Sequence, residues 1–454
     1  MINFLLHKKV YGIFIFIYLI SSINSPLFIP DNAEFITIFN FLRSLSPLFI
    51  TIFLLALFFL NKFKLSKISL IFMILILSQV IGFLLNDQRK IYDLYWLICA
   101  ISLVLFLEYY CNKLLDIKKI IFVFISIIFI ISTIISYYTV IEIIVNYASY
   151  EKILNTTYFS DVTAIVNSFI GQPVPRSSGY SRFLIIIFLF LLPLIFFSKF
   201  KKKEYKFKIV NILIVSVLIF IGVVLWKIQN RSSLYFYVIL SLVFLYLIIK
   251  KKKFNQIFYF IIIFILPYLI YQAEILYKKK TISIYISNQI NENFNNPSQL
   301  QKIENFKKTS NNLLNDLDRW KNPKNSSGRF EIWSDSFKII KQNFFFGLGP
   351  QTDRHKLNIS ASNILIYLFL CGGLLTVLIF FIYKTYLSII FFHFFKKKNT
   401  YKITNDRLLF FSILIFLFMN FRGIVENSYG LYGIDMVAFL LSVKYLELSY
   451  KFNR

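Results

Sequence analysis

The stretch GQPVPRSSGYSRFLIIIFLFLLPLIFF, residues 171–197, places two arginines directly in front of a hydrophobic run long enough to cross a bilayer. A hydrocarbon core about 30 Å thick takes roughly 20 mostly apolar residues of helix. The run at about 181–198 meets that requirement, so lipid is the solvent it is built for. Outward from it, similar runs recur at about 10–29, 44–61, 67–85, 91–109, 119–138, 209–227, 233–249, 256–275, 361–383, 408–421 and 433–448, twelve in all. Composition agrees, with 57% of 454 residues apolar, 19% aromatic and only 13 glycines. In lipid every backbone group must be satisfied internally, so the expected fold is an all-α polytopic membrane bundle of about 12 transmembrane helices. The second run carries Arg43 at its start and the eleventh is short; losing either changes the parity of the map.

Charge tests that parity. With a cytoplasmic amino terminus, the inner segments contain Lys8–Lys9, Lys62–Lys67, Lys113–Lys119, Lys199–Lys208, Lys250–Lys253, Lys396–Arg407 and the tail to Arg454. Every one is basic, as the positive-inside rule requires, so both termini are expected in the cytoplasm. The net charge of +28 therefore reads as topology signals beside anionic lipid, not as a nucleic-acid surface. No A-x-A-like cleavage site follows the first run, which is expected to remain as the first membrane helix. Cys99, Cys111 and Cys371 fall in helices or on the inner side, which argues against a disulfide framework or a cysteine-held metal. His7, His355 and His393 are scattered, and no Gly-rich phosphate loop or internal repeat occurs, so neither metal nor cofactor is expected.

Two outward segments are long, about 139–180 and 276–360. The chain thus divides into helices one to nine (1–275), a large outer loop (276–360), and helices ten to twelve with a tail (361–454). Within the loop, Leu300, Ile303, Phe306, Leu313, Leu317 and Trp320 are spaced as on one helix face, which predicts an amphipathic helix on the membrane or the bundle. SSGRFEIWSDSFKIIKQNFFFGLGP (326–350) repeats the pattern with Phe330, Trp333, Phe337, Ile340 and Phe344, and stops at Gly347 with Pro350 beyond. Glu331 and Asp335 early and Lys338 and Lys341 late suit the helix dipole; Arg329 does not.

The chain has 39 lysines and 11 arginines, so arginine should persist where lysine will not serve. Nine of the 11 fall on the outer side: Arg43, Arg89, Arg176, Arg182, Arg231, Arg319, Arg329, Arg354 and Arg422. That is the wrong side for a topology signal. Arg43, Arg89, Arg176 with Arg182, Arg231 and Arg422 lie at or just before the expected starts of helices two, four, six, eight and twelve. A cation there opposes the macrodipole at a cost of about 0.3 to 1 kcal/mol. A bound phosphate would offset that cost, since arginine holds it bidentately and exposed N–H groups favour it. The alternative is pairing with Asp31, Glu34, Glu142, Asp161, Glu274 or Glu426, or snorkelling to water.

These residues resemble the O-antigen polymerase and O-antigen ligase superfamily, bacterial inner-membrane glycosyltransferases. The likeness rests on PRSSGYSR before helix six, pointing to Arg176, and on NRSSLYFYVILSLVFLYLI, pointing to Arg231. It rests further on GRFEIWSDSFKIIKQNFFFGLGP, an R-x-x-x-W helix ending in G-x-G that points to Arg329, Trp333, Gly347 and Gly349, and on ASNILIYLFLCGGLLTVLIFF after it. The resemblance implies an undecaprenyl-diphosphate-linked glycan donor and a glycan acceptor as partners, a chain-length regulator beside them, and a site at the periplasmic face. Many members have His-Asn where this chain has Ser362 and Asn363, and His355 lies seven residues earlier on the same loop.

Transfer from a lipid diphosphate builds negative charge on the leaving oxygen, and fixed cations aimed at it stabilise the transition state most. Arg176, Arg182, Arg231, Arg329 and Arg422 are the candidate donor-binding residues, with Trp333 beside them. The acceptor hydroxyl needs a proton sink, for which Glu426, Asp353, His355 and Asp435 are the outward candidates. Trp333, Tyr429 and Tyr432 supply aromatic faces on which sugars stack. Polymerisation of O-antigen or exopolysaccharide repeat units is the first expectation and ligation to lipid A-core the second. A lipid-linked oligosaccharide flippase comes third, because the charges crowd one face instead of mid-membrane.

Overall fold

The computed structural model describes residues 10–22, 33–60, 62–86, 90–155, 177–196, 205–228, 230–250, 256–292, 304, 308, 329–357, 361, 363–395 and 406–452. Each of the twelve apolar runs overlaps a described helix, with parts of some runs, 23–29 among them, outside the described residues. The helices are α1 (Tyr11–Ser22), α2 (Ala33–Phe59), α3 (Lys67–Leu85), α4 (Tyr92–Tyr110), α5 (Leu114–Asn155), α6 (Ser177–Phe196), α7 (Tyr205–Ile228) and α8 (Arg231–Lys250). Next comes α9, made of Ile257–Phe260, a π-helical stretch Ile261–Ile265 and Leu266–Glu292. After it come the loop helices α10 (Arg329–Gln342) and α11 (Thr352–Lys356), then α12 (Ile364–Phe395), α13 (Arg407–Val425) and α14 (Ile434–Phe452). Among the described residues seven helices are long and apolar enough to cross a membrane, and Gly12–Ser22, Leu45–Phe59 and Tyr180–Phe196 are shorter apolar ones. The chain is thus an all-α membrane helix bundle.

α3 shows why lipid is required. It buries Ile68, Phe72, Leu75, Ile76, Gln79, Gly82 and Phe83 against its neighbours, yet exposes Leu70, Ile74, Leu77, Ile81 and Leu84 at spacings of three and four. A helix apolar on both faces and covered on one needs hydrocarbon on the other.

Several boundaries differ from those expected. α2 begins at Ala33 and continues through Pro47, so Arg43 lies inside the helix and not at its start; the Thr51 hydroxyl takes the Pro47 carbonyl at 2.7 Å. α5 and α9 run on past positions 138 and 275 into the long outward segments. α13 extends three residues beyond Arg422, which places that arginine in the last turn of a helix, where a cation suits the dipole. The amphipathic helix expected at 300–320 lies outside the described residues apart from positions 304 and 308.

The chain forms two compact units, Met1–Ile128 with Ser326–Arg454, and Phe129–Asn325. In the first, α14 is buried from Ile434 to Glu447 and packs on α1, α4, α12 and α13. Its charged residues find partners inside: Lys444 meets Glu108 at 2.6 Å, and Ser66, which caps α3, donates to Glu108 at 2.9 Å and Glu447 at 3.1 Å. In the second unit, α7 packs on α6 and α9, with Trp226, Leu234, Tyr271 and Ile275 forming a core cluster. Pro267 has no N–H for the Ile263 carbonyl four residues back. The Tyr237 hydroxyl donates to that carbonyl at 2.6 Å, beside the π-helical stretch. Gly222 makes room, since a Cβ there would meet the Pro267 ring at 2.7 Å.

Candidate functional site

The GRFEIW…GLG segment belongs to the first unit and packs on α12. At 100° per residue, Arg329, Trp333, Ser336 and Ile340 fall within about 60° of arc. Ser336 and Ile340 are buried, so this stripe is the protein-facing side of α10, and Arg329 and Trp333 stand at its amino-terminal end. The Trp333 indole N–H makes no hydrogen bond among the described residues, and its ring meets Phe330 edge-on at 5.6 Å. Phe330 and Phe337 lie on the open side.

The chain after α10 locks into a break in α12. Gly373 has φ 63° and ψ −161°, which ends one helical piece and starts another. Such a break strands carbonyls on one side and N–H groups on the other, which lipid cannot satisfy. Here Leu348 and Gly349 donate to the Leu370 and Cys371 carbonyls at 2.9 and 2.8 Å, while Leu374 and Leu375 donate to the Phe344 and Phe345 carbonyls at 2.8 and 3.3 Å. The contact admits only glycine. A Cβ on Gly347 (φ 65°) would meet the Gly372 nitrogen at 2.6 Å, and one on Gly349 (φ 92°) the Phe83 Cα at 2.7 Å. The G-x-G pair is therefore an interlock between loop and bundle.

Beyond it, Gln351 is left-handed at φ 61° and α11 follows at once. Asp353, 1% exposed, accepts from the Ala361 N–H at 2.9 Å through Oδ2, while its Oδ1 has no hydrogen-bond partner among the described residues. Burial pushes its carboxyl above the ordinary value, against the lowering by the Ala361 N–H and Arg354. Two residues on, His355 turns to α4: Nε2 lies 2.8 and 2.9 Å from the two carboxylate oxygens of Asp93. The Asp93 side chain is 5% exposed and that of His355 33%. Asn363 accepts from the N–H groups of Leu365 and Ile366 at 2.8 and 3.2 Å, and its amide donates to the Ile424 carbonyl at 2.8 Å. It caps the start of α12 and also binds the end of α13.

At Arg422 the pairing alternative holds. The side chain is fully buried, with Nε donating to Asp435 at 3.0 Å and Nη2 to Glu426. A buried guanidinium matched by two carboxylates is a structural ion pair, so Arg422 is not left for a headgroup, nor are Glu426 and Asp435 free bases. Tyr429 and Tyr432 are also inside, 3% and 2% exposed, and do not wall an open pocket. Tyr429 stacks on Phe439 at 4.0 Å and hydrogen-bonds Lys384 and Asn420, while Tyr432 pairs with Ser21 at 2.7 Å. Lys384 sits 4.4 Å from the Tyr429 ring centre and 5.3 Å from that of Phe439, an aromatic cage within the bundle.

In the second unit, Asn230 caps α8, its Oδ1 accepting from Ser233 N–H at 3.2 Å, and Arg231 is the first residue of that helix. Ser233 reaches Ser181 at 3.3 Å, next to Arg182 in the second turn of α6. Lys227 pairs with Glu274 at 2.8 Å. Arg176 and Ser362 lie outside the described residues, as does Arg89. Among the described residues no group of three or more His, Cys, Asp or Glu side chains is arranged to hold a metal ion.

Asp93 and Lys384 escaped the sequence reading. Asp93 is one of two acids in its run, the other being Glu108, and Lys384 falls just past the end of the run at 361–383 yet inside α12; the signal that marks them is a charge within a membrane helix, which persists only with a partner or a task.

A polytopic helical bundle whose outer loop docks through G-x-G into a broken membrane helix is the class these features define. Residues 228–381 match the family model described as O-antigen ligase, which makes this third of the chain similar to the O-antigen ligase and polymerase superfamily. The matched stretch runs from the start of α8 to the middle of α12 and so includes Arg231, Arg329, Trp333, both loop glycines and His355. No curated protein and no solved structure matches the chain.

Proposed function

We propose that this chain polymerises undecaprenyl-diphosphate-linked repeat units of O-antigen or exopolysaccharide at the periplasmic face of a bacterial inner membrane, with both termini in the cytoplasm. The observation that carries the glycan-transfer part of the reading, common to polymerase and ligase, is the match of residues 228–381 to the O-antigen ligase model. The glycan at the end of one lipid offers its hydroxyl, the anomeric carbon of another glycan is the target, and a lipid diphosphate leaves. Arg329, at the amino-terminal end of α10, is suited to the diphosphate, since a guanidinium fork favours the charge that grows as the bond breaks, and Arg231 and Arg182 are kept as donor candidates on the strength of the sequence alone. Arg176, one residue ahead of α6, joins them on the strength of the sequence. Membrane lipid and a chain-length regulator are the further partners of this reading.

The ligase reading, transfer of the finished glycan to lipid A-core, is favoured by the description of the matched model. Gene deletion separates the two. Loss of a polymerase leaves single repeat units on lipid A-core; loss of a ligase leaves long glycan stranded on the lipid carrier. Repeat units trapped inside the cell would instead mark a flippase and overturn both.

A further inference from the structure

We propose that His355 is the base that takes the proton of the acceptor hydroxyl and that Asp93 positions it, an inference that rests on the glycan-transfer reading above. The pairing joins residues 262 positions apart, so no local turn produces it. Asp93 stands in the first turn of α4, where the dipole favours an anion, but it is nearly buried, and a buried carboxylate is costly without a donor. His355 Nε2 supplies that donor against both oxygens. With Nε2 carrying the hydrogen, the lone pair is on Nδ1. Nδ1 makes no hydrogen bond among the described residues, and a third of the side chain is open.

The other candidates are engaged or enclosed. Glu426 and Asp435 hold Arg422, Asn363 caps two helices, and Asp353 is buried beneath the Gly349–Thr352 turn. Among the described outward groups that sequence put forward, His355 combines access with a fixed tautomer. The step balances with those parts. The acceptor oxygen bonds to the anomeric carbon as its O–H proton passes to Nδ1; the anomeric C–O bond breaks, and its electron pair stays on the departing diphosphate. Asp93 stabilises the imidazolium until water removes the proton.

The test uses the full chain in membrane vesicles, with lipid-linked repeat units as donor and acceptor and product length read on gels. His355→Gln is expected to lower kcat by about 10²- to 10⁴-fold with the KM for donor within about twofold. Asp93→Asn should lower kcat by about 10- to 100-fold, as loss of an orienting carboxylate does, and Asp93→Glu should restore part of it. A protein that merely lost packing would change amount or KM without this split. In a His7→Gln, His393→Gln background, diethyl pyrocarbonate should abolish transfer and hydroxylamine should restore it, which tests His355 without substituting it. Full kcat in His355→Gln, or resistance of the single-histidine protein to the reagent, overturns the assignment. Wild-type vesicles that transfer no glycan overturn the glycan-transfer reading instead.

Discussion

The interlock at Gly373 can be broken by one methyl group. Gly373→Ala puts a side chain where φ is 63° and ψ −161°, a region open in practice only to glycine and costing about 1 to 3 kcal/mol otherwise. The added Cβ also runs into the Phe345 backbone, which cannot swing away as a side chain can. Relieving that clash means giving up the bonds from Leu374 to Phe344 and from Leu375 to Phe345, each worth about 1 kcal/mol. Together these come to about 3 to 5 kcal/mol. Gly12→Ala is the control: a Cβ at Gly12 meets only Val123 Cγ1 at 3.9 Å, and alanine in a helix is favoured over glycine by roughly 0.5 to 1 kcal/mol. Reversible unfolding in mixed micelles, followed by circular dichroism, compares the two. Equal midpoints for both variants would mean that the loop is not pinned to α12 by its backbone, and the account of the G-x-G motif would be wrong.

Arg422→Met leaves Asp435 and Glu426 without their cation in the bundle and should destabilise by about 3 to 5 kcal/mol in the same unfolding assay, with transfer per folded molecule little changed. Arg231→Lys and Arg329→Lys should do the reverse, keeping stability while glycan transfer in vesicles falls at least about tenfold, because lysine cannot hold phosphate bidentately; wild-type rates in both would remove the diphosphate argument. Asn363→Ala should cost about 1 to 3 kcal/mol by losing the cap of α12 and stranding the Ile424 carbonyl, and Asn363→Asp, which retains the cap, should cost less. Asp353 binds its proton more tightly folded than unfolded, so wild-type stability should fall as pH rises from the ordinary carboxylate range through the raised value, and Asp353→Asn should flatten that slope in thermal melts.

The membrane helices were legible because hydrophobic run length is a local property: each of the twelve runs overlaps a described helix, and the short eleventh, 408–421, proved to be part of a 19-residue helix that also takes in Arg407 and residues 422–425. The stop at Gly347 was legible only in part: α10 ends at Gln342, five residues before the expected stop and short of Phe344, while Gly347 does take the positive φ of 65° that favours glycine. What failed were inferences about which end of a helix a residue occupies and what it meets across the bundle. Arg422 looked like the herald of α14 because polar residues hid the last turn of α13. Gly372 and Gly373 sit in an unbroken apolar run, and hydropathy cannot distinguish a straight helix from one split and repaired by another segment. The partners of His355, Asn363 and Tyr432 lie 262, 61 and 411 positions away, beyond any periodicity.

The same separation explains how packing and chemistry divide the outer loop. Its glycines have conformations and contacts that serve the join with α12 and α3, whereas the side chains with open chemistry, Arg329 and Trp333 before the join and His355 after it, are carried on short helices at either side. A loop tied by four backbone hydrogen bonds to a membrane helix holds such groups more firmly than one tied by side chains, because those bonds persist whatever residue occupies the neighbouring positions. On that argument the motif's glycines set geometry and its flanks set reactivity. Substitutions at Gly347 or Gly349 should therefore disturb stability and transfer together, while Arg329→Lys should disturb transfer alone and His355→Gln, whose amide can still donate to Asp93, should disturb transfer far more than stability.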